Sequence, residues 1–301
     1  MIGPVIAGTT IFTTIGPGQL VKGHSHTKSQ HLIELVSDAP QSNSLKRSIP
    51  LEDSDLQMLD ENVKKAIFEE ISPEKKQSII QAYLKTRFDE LTPLNDSKPS
   101  FEVYQRGVIG YTNLLAQGKV KNEILTVIDF SISSKKKRLW IIDMKENKVI
   151  NNKLVAHGKN SGFDIPTDFG NTRHSNKSSL GFYLTGENYD GKYGLSLRLD
   201  GQEDGFNSNA RERAVVMHRA KYVNNDIIKS SGRLGRSFGC PALDWTEDST
   251  QIMKDIANKS VIYIYSPQED YISTTKLYDL DQAFDYLQKD LYVLGQAAMS
   301  V

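Results

Sequence analysis

A single cysteine, Cys240, lies in the glycine-rich and basic segment GRLGRSFGCP at residues 232–241. The thiolate is the attacking form of cysteine, and nearby positive charge lowers a thiol pKa below its usual value of about 8.5. Arg233 and Arg236 stand close to this cysteine in the sequence and are expected to supply such charge. The segment therefore predicts a nucleophilic cysteine in an irregular loop, where backbone amides can face a ligand.

A histidine precedes this cysteine at the end of the apolar run at residues 214–217: His218, in AVVMHRA. Imidazole is a common general base for a thiol nucleophile, so the pair of Cys240 and His218 predicts an acyl-transfer enzyme. Two alternatives remain open from the residues alone. One is that His218 is a structural histidine at a strand end with its hydrogen bonds satisfied. The other is that Cys240 is a small buried residue without reactivity.

The same segment contains a Gly-x-Ser-x-Gly pattern at residues 235–239, which is typical of a serine nucleophile elbow. Such an elbow needs a buried strand running directly into it and a histidine later in the chain. Residues 228–233 are mainly polar, and no histidine follows His218. These facts exclude the elbow, and also the papain-like order in which the cysteine comes first.

The composition is that of an ordinary globular protein. The chain has 301 residues, 38% hydrophobic and 25% charged, which suffices for one large or two modest domains. Its 37 basic and 37 acidic residues balance, so the overall charge indicates neither nucleic acid nor an anionic membrane as a partner. One cysteine permits no intramolecular disulfide and no cysteine-based zinc site, and it leaves the redox compartment open.

Residues 1–50 are predicted to form a flexible tail. Residues 2–15 are mainly apolar or small, but no Lys or Arg precedes them and Gly and Pro interrupt them, so they are at best a degenerate or truncated secretion signal. No later run approaches about 18 apolar residues, which predicts no integral membrane span. Three histidines in the tail lack nearby cysteines and predict no closed metal site: His24, His26 and His31.

Two further motifs have simple structural interpretations. Residues 200–205 begin like a calcium-binding loop, but Arg211 stands where that loop requires a glutamate, so no EF-hand is predicted. The basic run at residues 135–138 lies between two apolar stretches. It predicts a solvated hairpin turn rather than a nucleic-acid site.

The elements that must position these residues change in type near residue 120. Residues 51–120 are predicted to be a helical segment, and residues 271–301 a C-terminal helical extension. The part between them, residues 121–270, contains short β-rich runs separated by turn residues, which predicts an α+β fold with a mainly antiparallel β-sandwich or barrel. The strands are predicted at 124–130, 139–143, 149–157, 181–186, 195–199, 214–218 and 261–265. The helices are predicted from Asp53 to about Glu70, Ser72 to about Glu90, Ser100 to before Gly118, after Asp244, and over about 280–291.

Six blocks occur in order between Ile124 and Tyr265: VIDF, LWIID, AHGKNSG, SSLGFY, VVMH and GRSFGCPAL. Their order and spacing resemble the catalytic domain of the murein L,D-transpeptidases, the YkuD-like family. The chain departs from the wider family at Arg219, Phe238 and Ala242, where glycine, histidine and arginine are common. These departures fit a subgroup with a Gly-Arg-Ser-aromatic-Gly-Cys-Pro-Ala-Leu nucleophile motif.

The resemblance implies a cysteine acyltransferase that acts on peptidoglycan tetrapeptide stems in the bacterial cell envelope. Cys240 would form a thioester at the L-centre with release of D-alanine, and His218 would act as the base. His157 is the rival base, for which a structural role is expected. The chemistry needs no metal and no organic cofactor. A peptidoglycan hydrolase such as an L,D-carboxypeptidase, which uses water, and a non-catalytic cell-wall-binding module are the alternatives.

Four further residues receive roles from this resemblance. Gly239 and Ser237 would contribute to an oxyanion site through the backbone of the nucleophile loop. Arg236 would lower the thiol pKa or bind a stem carboxylate. Tyr222 would contact the substrate.

Overall fold

The computed structural model describes residues 72–192 and 194–287. Two helices come first, and a β-rich part with shorter helices follows. The helices are α1 (Pro73–Glu90), α2 (Phe101–Ala116), α3 (Asn225–Ser231), α4 (Glu247–Asp255), α5 (Glu269–Thr274) and α6 (280–287), with a 3₁₀ turn at Lys276–Tyr278. The strands are β1 (Ile124–Asp129), β2 (Leu139–Asp143), β3 (Lys148–Lys153), β4 (Gly181–Gly191), β5 (Gly194–Gly201), β6 (Val216–Arg219), β7 (Ala242–Leu243) and β8 (Val261–Tyr265).

The first two helices begin at the serines that the sequence indicates. Ser72 accepts a hydrogen bond from the Lys75 amide at 3.3 Å, and Ser100 accepts one from the Val103 amide at 3.4 Å. Such side-chain caps satisfy amides that have no partner within the first turn. The predicted start of each helix is therefore confirmed.

The eight strands form one sheet in the order β3-β2-β1-β8-β4-β5-β6-β7. Most neighbours are antiparallel, while the β1–β8 and β6–β7 pairs are parallel. Beyond the end of β3, Ala156 forms an antiparallel bridge with Ala242 of β7, which brings the two ends of the sheet together. The predicted α+β fold with a mainly antiparallel, barrel-like sheet is confirmed.

One hydrophobic core joins the helical segment to the sheet. Leu84 of α1, Tyr104 of α2 and Phe182 of β4 are all fully buried in it. Helix α2 lies so close to the sheet that a Cβ at Gly110 would stand 2.1 Å from the Phe182 ring. Only glycine therefore fits at this position. Helix α2 thus packs against the sheet, while the bounds proposed for separate segments stay predictions.

Several strand ends differ from the prediction for physical reasons. Strand β6 begins at Val216 rather than at residue 214, because Ala214 has a φ of 53° that interrupts an extended chain. Strand β3 ends at Lys153 rather than at residue 157. Strand β4 runs on to Gly191, past a register shift between Thr185 and Asn188.

The basic run at residues 135–138 divides into an exposed turn and a buried arginine. Its three lysines are exposed, as predicted, but the prediction is wrong for Arg138, which is fully buried. The guanidinium of Arg138 donates to the Val155 carbonyl at 3.0 Å and the Ile132 carbonyl at 2.7 Å, and it lies 4.8 Å from the Phe130 ring centre. These carbonyls and the ring replace the water that a buried cation gives up.

Some predictions fall outside the described residues: the tail, the degenerate secretion signal, His24, His26 and His31, and the helix over 53–70. Within 72–192 and 194–287, no helix has both the length and the apolar character to cross a membrane. The same ranges contain no group of three or more His, Cys, Asp or Glu side chains placed to hold a metal ion.

Candidate active site

A cleft of about 690 Å³ is lined by β6 and by the loop that leads into β7. Five of the six residues predicted to form the site line this cleft: Cys240, His218, Ser237, Arg236 and Tyr222. The sixth, Gly239, is buried in the loop beside the cysteine. Residues from separate parts of the chain therefore meet at one place on the surface.

Strand alternation directs the histidine into the cleft. Val216 and His218 line it, whereas Met217 between them is fully buried on the other face of the strand. The His218 amide lies 3.4 Å from the Pro241 carbonyl, to which it donates a hydrogen bond. That contact joins the histidine strand to the cysteine loop.

The hydrogen bonding of the His218 ring fixes its tautomer. Nδ1 lies 2.9 Å from the Arg219 carbonyl oxygen. A carbonyl only accepts, so Nδ1 carries the proton and Nε2 holds the lone pair that can accept another. Burial lowers the pKa of His218, while the bond to Arg219 opposes this shift. The neutral ring at neutral pH is the form that a general base requires.

The loop before Cys240 is a tight turn held by Ser237. The Ser237 hydroxyl donates to the Cys240 carbonyl at 2.6 Å and accepts from the Gly239 amide at 3.0 Å. The Ser237 amide donates to the His157 carbonyl at 2.9 Å. Gly239 has a φ of 124°, and a Cβ there would stand 2.7 Å from the Lys177 carbonyl oxygen. Glycine is thus required at this position.

These bonds bear on the predicted oxyanion site. The amides of Gly239 and Ser237 both have acceptors already, so either one could serve an oxyanion only after leaving its present partner. The oxyanion roles of the two residues stay predictions. In this structure, the hydroxyl of Ser237 stabilises the turn of the loop through its two hydrogen bonds.

The surroundings of the Cys240 sulfur differ from the expectation. Sγ lies 3.5 Å from the Val216 amide nitrogen and 3.8 Å from the Ala214 carbonyl oxygen. Burial raises the pKa of the Cys240 thiol, and the Val216 amide and the charge of Arg213 act against this. Loss of solvent is the largest effect on this pKa, and the charge that opposes it is that of Arg213. The lowering expected from Arg233 and Arg236 stays a prediction.

The guanidinium of Arg236 is engaged in holding a neighbouring loop. It donates to the carbonyls of Lys159 at 2.8 Å and Gly162 at 2.7 Å, and it lies 4.9 Å from the Phe163 ring centre. Arg233 approaches the same exposed ring at 5.9 Å. Both arginines thus face Phe163, and binding of a substrate carboxylate by Arg236 stays a prediction.

His157 has the contacts of a structural histidine. Its side chain is 1% exposed, and Nδ1 lies 2.9 Å from Nη2 of Arg138, which can only donate. Burial, together with the charge of Arg138, lowers the pKa of His157 to about 4. Its carbonyl supports the nucleophile loop, and its ring does not line the cleft. The structural role expected for His157 agrees with this geometry.

The positive charge of the cleft lining is a feature that no motif in the sequence predicts. Lys192, Arg219 and Lys221 line it beside Arg236, and no aspartate or glutamate of the described residues does so. Trp245, which is 42% exposed, stands at the same rim. These residues come from different elements without a common motif, so only the fold brings them together.

Replacing Ser237 with alanine should lower the free energy of unfolding by about 1–3 kcal/mol, because the buried Gly239 amide loses its acceptor. Urea denaturation measures the change. Ser230→Ala on the exposed face of α3 is the matched control, expected to stay within about 0.5 kcal/mol of the parent protein. Equal effects of the two substitutions would show that the turn does not depend on Ser237.

A comparison with family models matches residues 95–265 to the L,D-transpeptidase catalytic domain. A search of the curated proteins finds no match. Among solved structures, an L,D-transpeptidase from Xylanimonas cellulosilytica is 10% identical with a TM-score of 0.28, over 61% of this chain and 91% of that one. The helical cell shape determining protein Pgp2 from Campylobacter jejuni is 13% identical with a TM-score of 0.29, over 62% of this chain and 68% of that one. Neither likeness is close enough to indicate an activity.

Proposed function

The chain belongs to the L,D-transpeptidase catalytic-domain family, and on that premise we propose that it is a cysteine acyltransferase acting on peptidoglycan tetrapeptide stems. Family membership supports a peptidoglycan-modifying enzyme of the bacterial cell envelope. The observation that carries the finer proposal is the cleft in which Cys240 and His218 lie together. A thiol and a neutral imidazole that line one cleft are the groups that thioester chemistry requires.

In the acylation step, Sγ of Cys240 attacks the carbonyl carbon of the L-centre that is joined to D-alanine. Nε2 of His218 takes the thiol proton and returns it to the departing amine as the C–N bond breaks. D-alanine leaves, and a thioester joins the stem to the enzyme. The amide of Cys240 itself, next to the sulfur, is the donor that we propose for the developing oxyanion.

The electrostatics favour a neutral pair before attack. Burial raises the pKa of Cys240 and lowers the pKa of His218. Both shifts disfavour a resting pair of thiolate and imidazolium, because each charged form loses solvent. His218 is therefore proposed to remove the thiol proton during attack, as a general base.

In the transfer step, an amine of a second stem attacks the thioester carbonyl and the C–S bond breaks. His218 accepts the amine proton and passes it to the departing Cys240 sulfur. The cations of the cleft suit this substrate, because peptide stems carry carboxylates. No aspartate or glutamate of the described residues lines the cleft, whereas four basic side chains do: Lys192, Arg219, Lys221 and Arg236. Arg219 also pairs with Glu247 at 3.1 Å.

Product analysis after mixing the purified protein with a disaccharide-tetrapeptide tests this function. We expect a cross-linked dimer together with free D-alanine, both resolved by liquid chromatography and mass spectrometry. Tripeptide without dimer would contradict transfer to an amine and would favour an L,D-carboxypeptidase. A folded protein that retains the substrate without any product would favour a cell-wall-binding module.

A further inference from the structure

Arg213 has no acidic partner among the described residues. Its guanidinium donates to the carbonyls of Gly170 at 2.8 Å and Lys177 at 2.7 Å, and to the hydroxyls of Ser175 and Ser179. All four acceptors are neutral, so they hold the group in place without cancelling its charge. Partly buried arginines usually pair with an anion, so the charge of Arg213 is available to an anion that forms nearby.

The guanidinium of Arg213 lies beside the nucleophile loop. A Cβ built on Gly239 would stand 3.5 Å from Nη2 of Arg213 and 2.7 Å from the Lys177 carbonyl oxygen that the same nitrogen binds. The guanidinium thus packs against the residue that precedes Cys240. The charge of Arg213 favours the ionised form of this cysteine. Burial lowers the pKa of Arg213, and Tyr183 and then Cys240 act against this.

Other titratable groups surround the thiol on several elements. His218 faces the cleft from β6, and Tyr183 of β4 interacts electrostatically with Cys240. Burial keeps the Tyr183 pKa above its usual range, so this phenol stays neutral. The cations of the cleft lining complete the set: Lys192, Arg219, Lys221 and Arg236. Among these charged groups, Arg213 is the one whose charge opposes the effect of burial on the Cys240 pKa.

We propose that Arg213 is a positioning residue that provides the fixed counter-charge for the Cys240 thiolate formed during attack. Its four bonds to the segment at residues 170–179 hold the guanidinium rigid, so that little reorganisation is needed when charge appears on sulfur. The proposal rests on the proposed function only in taking the thiolate as the nucleophile. Ser178 of the same segment donates to the Gly239 carbonyl at 3.1 Å, which ties the segment to the nucleophile loop.

The single cysteine makes a direct test possible, because every alkylated thiol is Cys240. The rate of iodoacetamide alkylation of the full chain is measured from pH 6 to pH 10 for Arg213→Gln. We expect the profile to move to higher pH and the rate at pH 7 to fall about tenfold, since one pKa unit changes the thiolate fraction tenfold. Arg211→Gln is the matched control, because Arg211 pairs with Asp200 and Glu187 on the surface. Its profile should equal that of the parent protein.

A folded Arg213→Gln variant with an unchanged profile would overturn the proposal and leave Arg213 a purely structural role. Arg213→Lys keeps the charge, and it is the variant to measure if Arg213→Gln does not fold. Its profile should lie within about threefold of the parent rates, which is less than half a pKa unit. A tenfold displacement despite the retained charge would contradict the proposal. Alkylation needs no peptidoglycan, so a displaced profile in a protein without turnover would refute the proposed function alone.

Discussion

Replacing Cys240 with alanine should abolish D-alanine release and cross-linking while leaving the thermal midpoint within a few degrees of the parent value. The sulfur contacts the backbone at Val216 and Ala214 and is partly exposed in the cleft, so its loss removes little packing. Loss of a nucleophile typically lowers kcat by on the order of 10³-fold or more. Steady-state D-alanine release and a thermal melt are the two measurements.

Cys240→Ser is the matched control for this prediction. It keeps the size of the side chain, while serine is a far weaker nucleophile without a strong base, so it should be nearly as inactive as the alanine variant. Substantial turnover in Cys240→Ala would refute the assignment of the nucleophile. If the alanine variant unfolded and the parent protein were inactive, Cys240 would instead be a core residue.

Replacing His218 with alanine should lower the single-turnover acylation rate by about 10²–10⁴-fold, the usual contribution of a positioned general base. Because burial lowers the pKa of His218, its neutral form persists below pH 6.5. The parent rate should therefore fall only at more acidic pH, as Nε2 becomes protonated. The variant should lack this acidic limb.

His157→Ala is the matched comparison. His157 is bonded to Arg138 and lies outside the cleft lining, so its loss should reduce stability more than the acylation rate of the folded fraction. Removing it leaves Arg138 buried with one acceptor fewer, which costs about 1–3 kcal/mol. An equal or greater loss of acylation in this variant would make His157 the base.

The helices and strands could be predicted wherever caps and alternation mark them. Ser72 and Ser100 signal helix starts by themselves, and apolar runs such as residues 261–265 indicate strands. Strand β7 has only two residues, too few for any periodicity to appear. It exists because β6 on one side and Ala156 on the other supply its hydrogen bonds.

That Cys240 and His218 line one cleft could be predicted from the sequence, because a motif frames the cysteine and an apolar run precedes the histidine. The electrostatics of the cleft could not be predicted in this way. Arg233 and Arg236 are near Cys240 in sequence, yet both face Phe163. Arg213 is far from Cys240 in sequence, and its bonds to Gly170 and Lys177 hold it beside Gly239 in a way that no local pattern records. The partial loss of solvent at the Cys240 thiol, which raises its pKa, depends on the whole fold in the same way.

The most direct test of the central claim is to trap the acyl-enzyme on Cys240. The protein is mixed with a tetrapeptide stem, quenched in acid within the first turnover, and analysed by intact mass and peptide mapping. We predict one adduct per chain, with the mass of the stem less D-alanine, on the fragment that contains Gly239, Cys240 and Pro241. Release of D-alanine without an adduct on that fragment, or an adduct on Ser237 instead, would contradict the account.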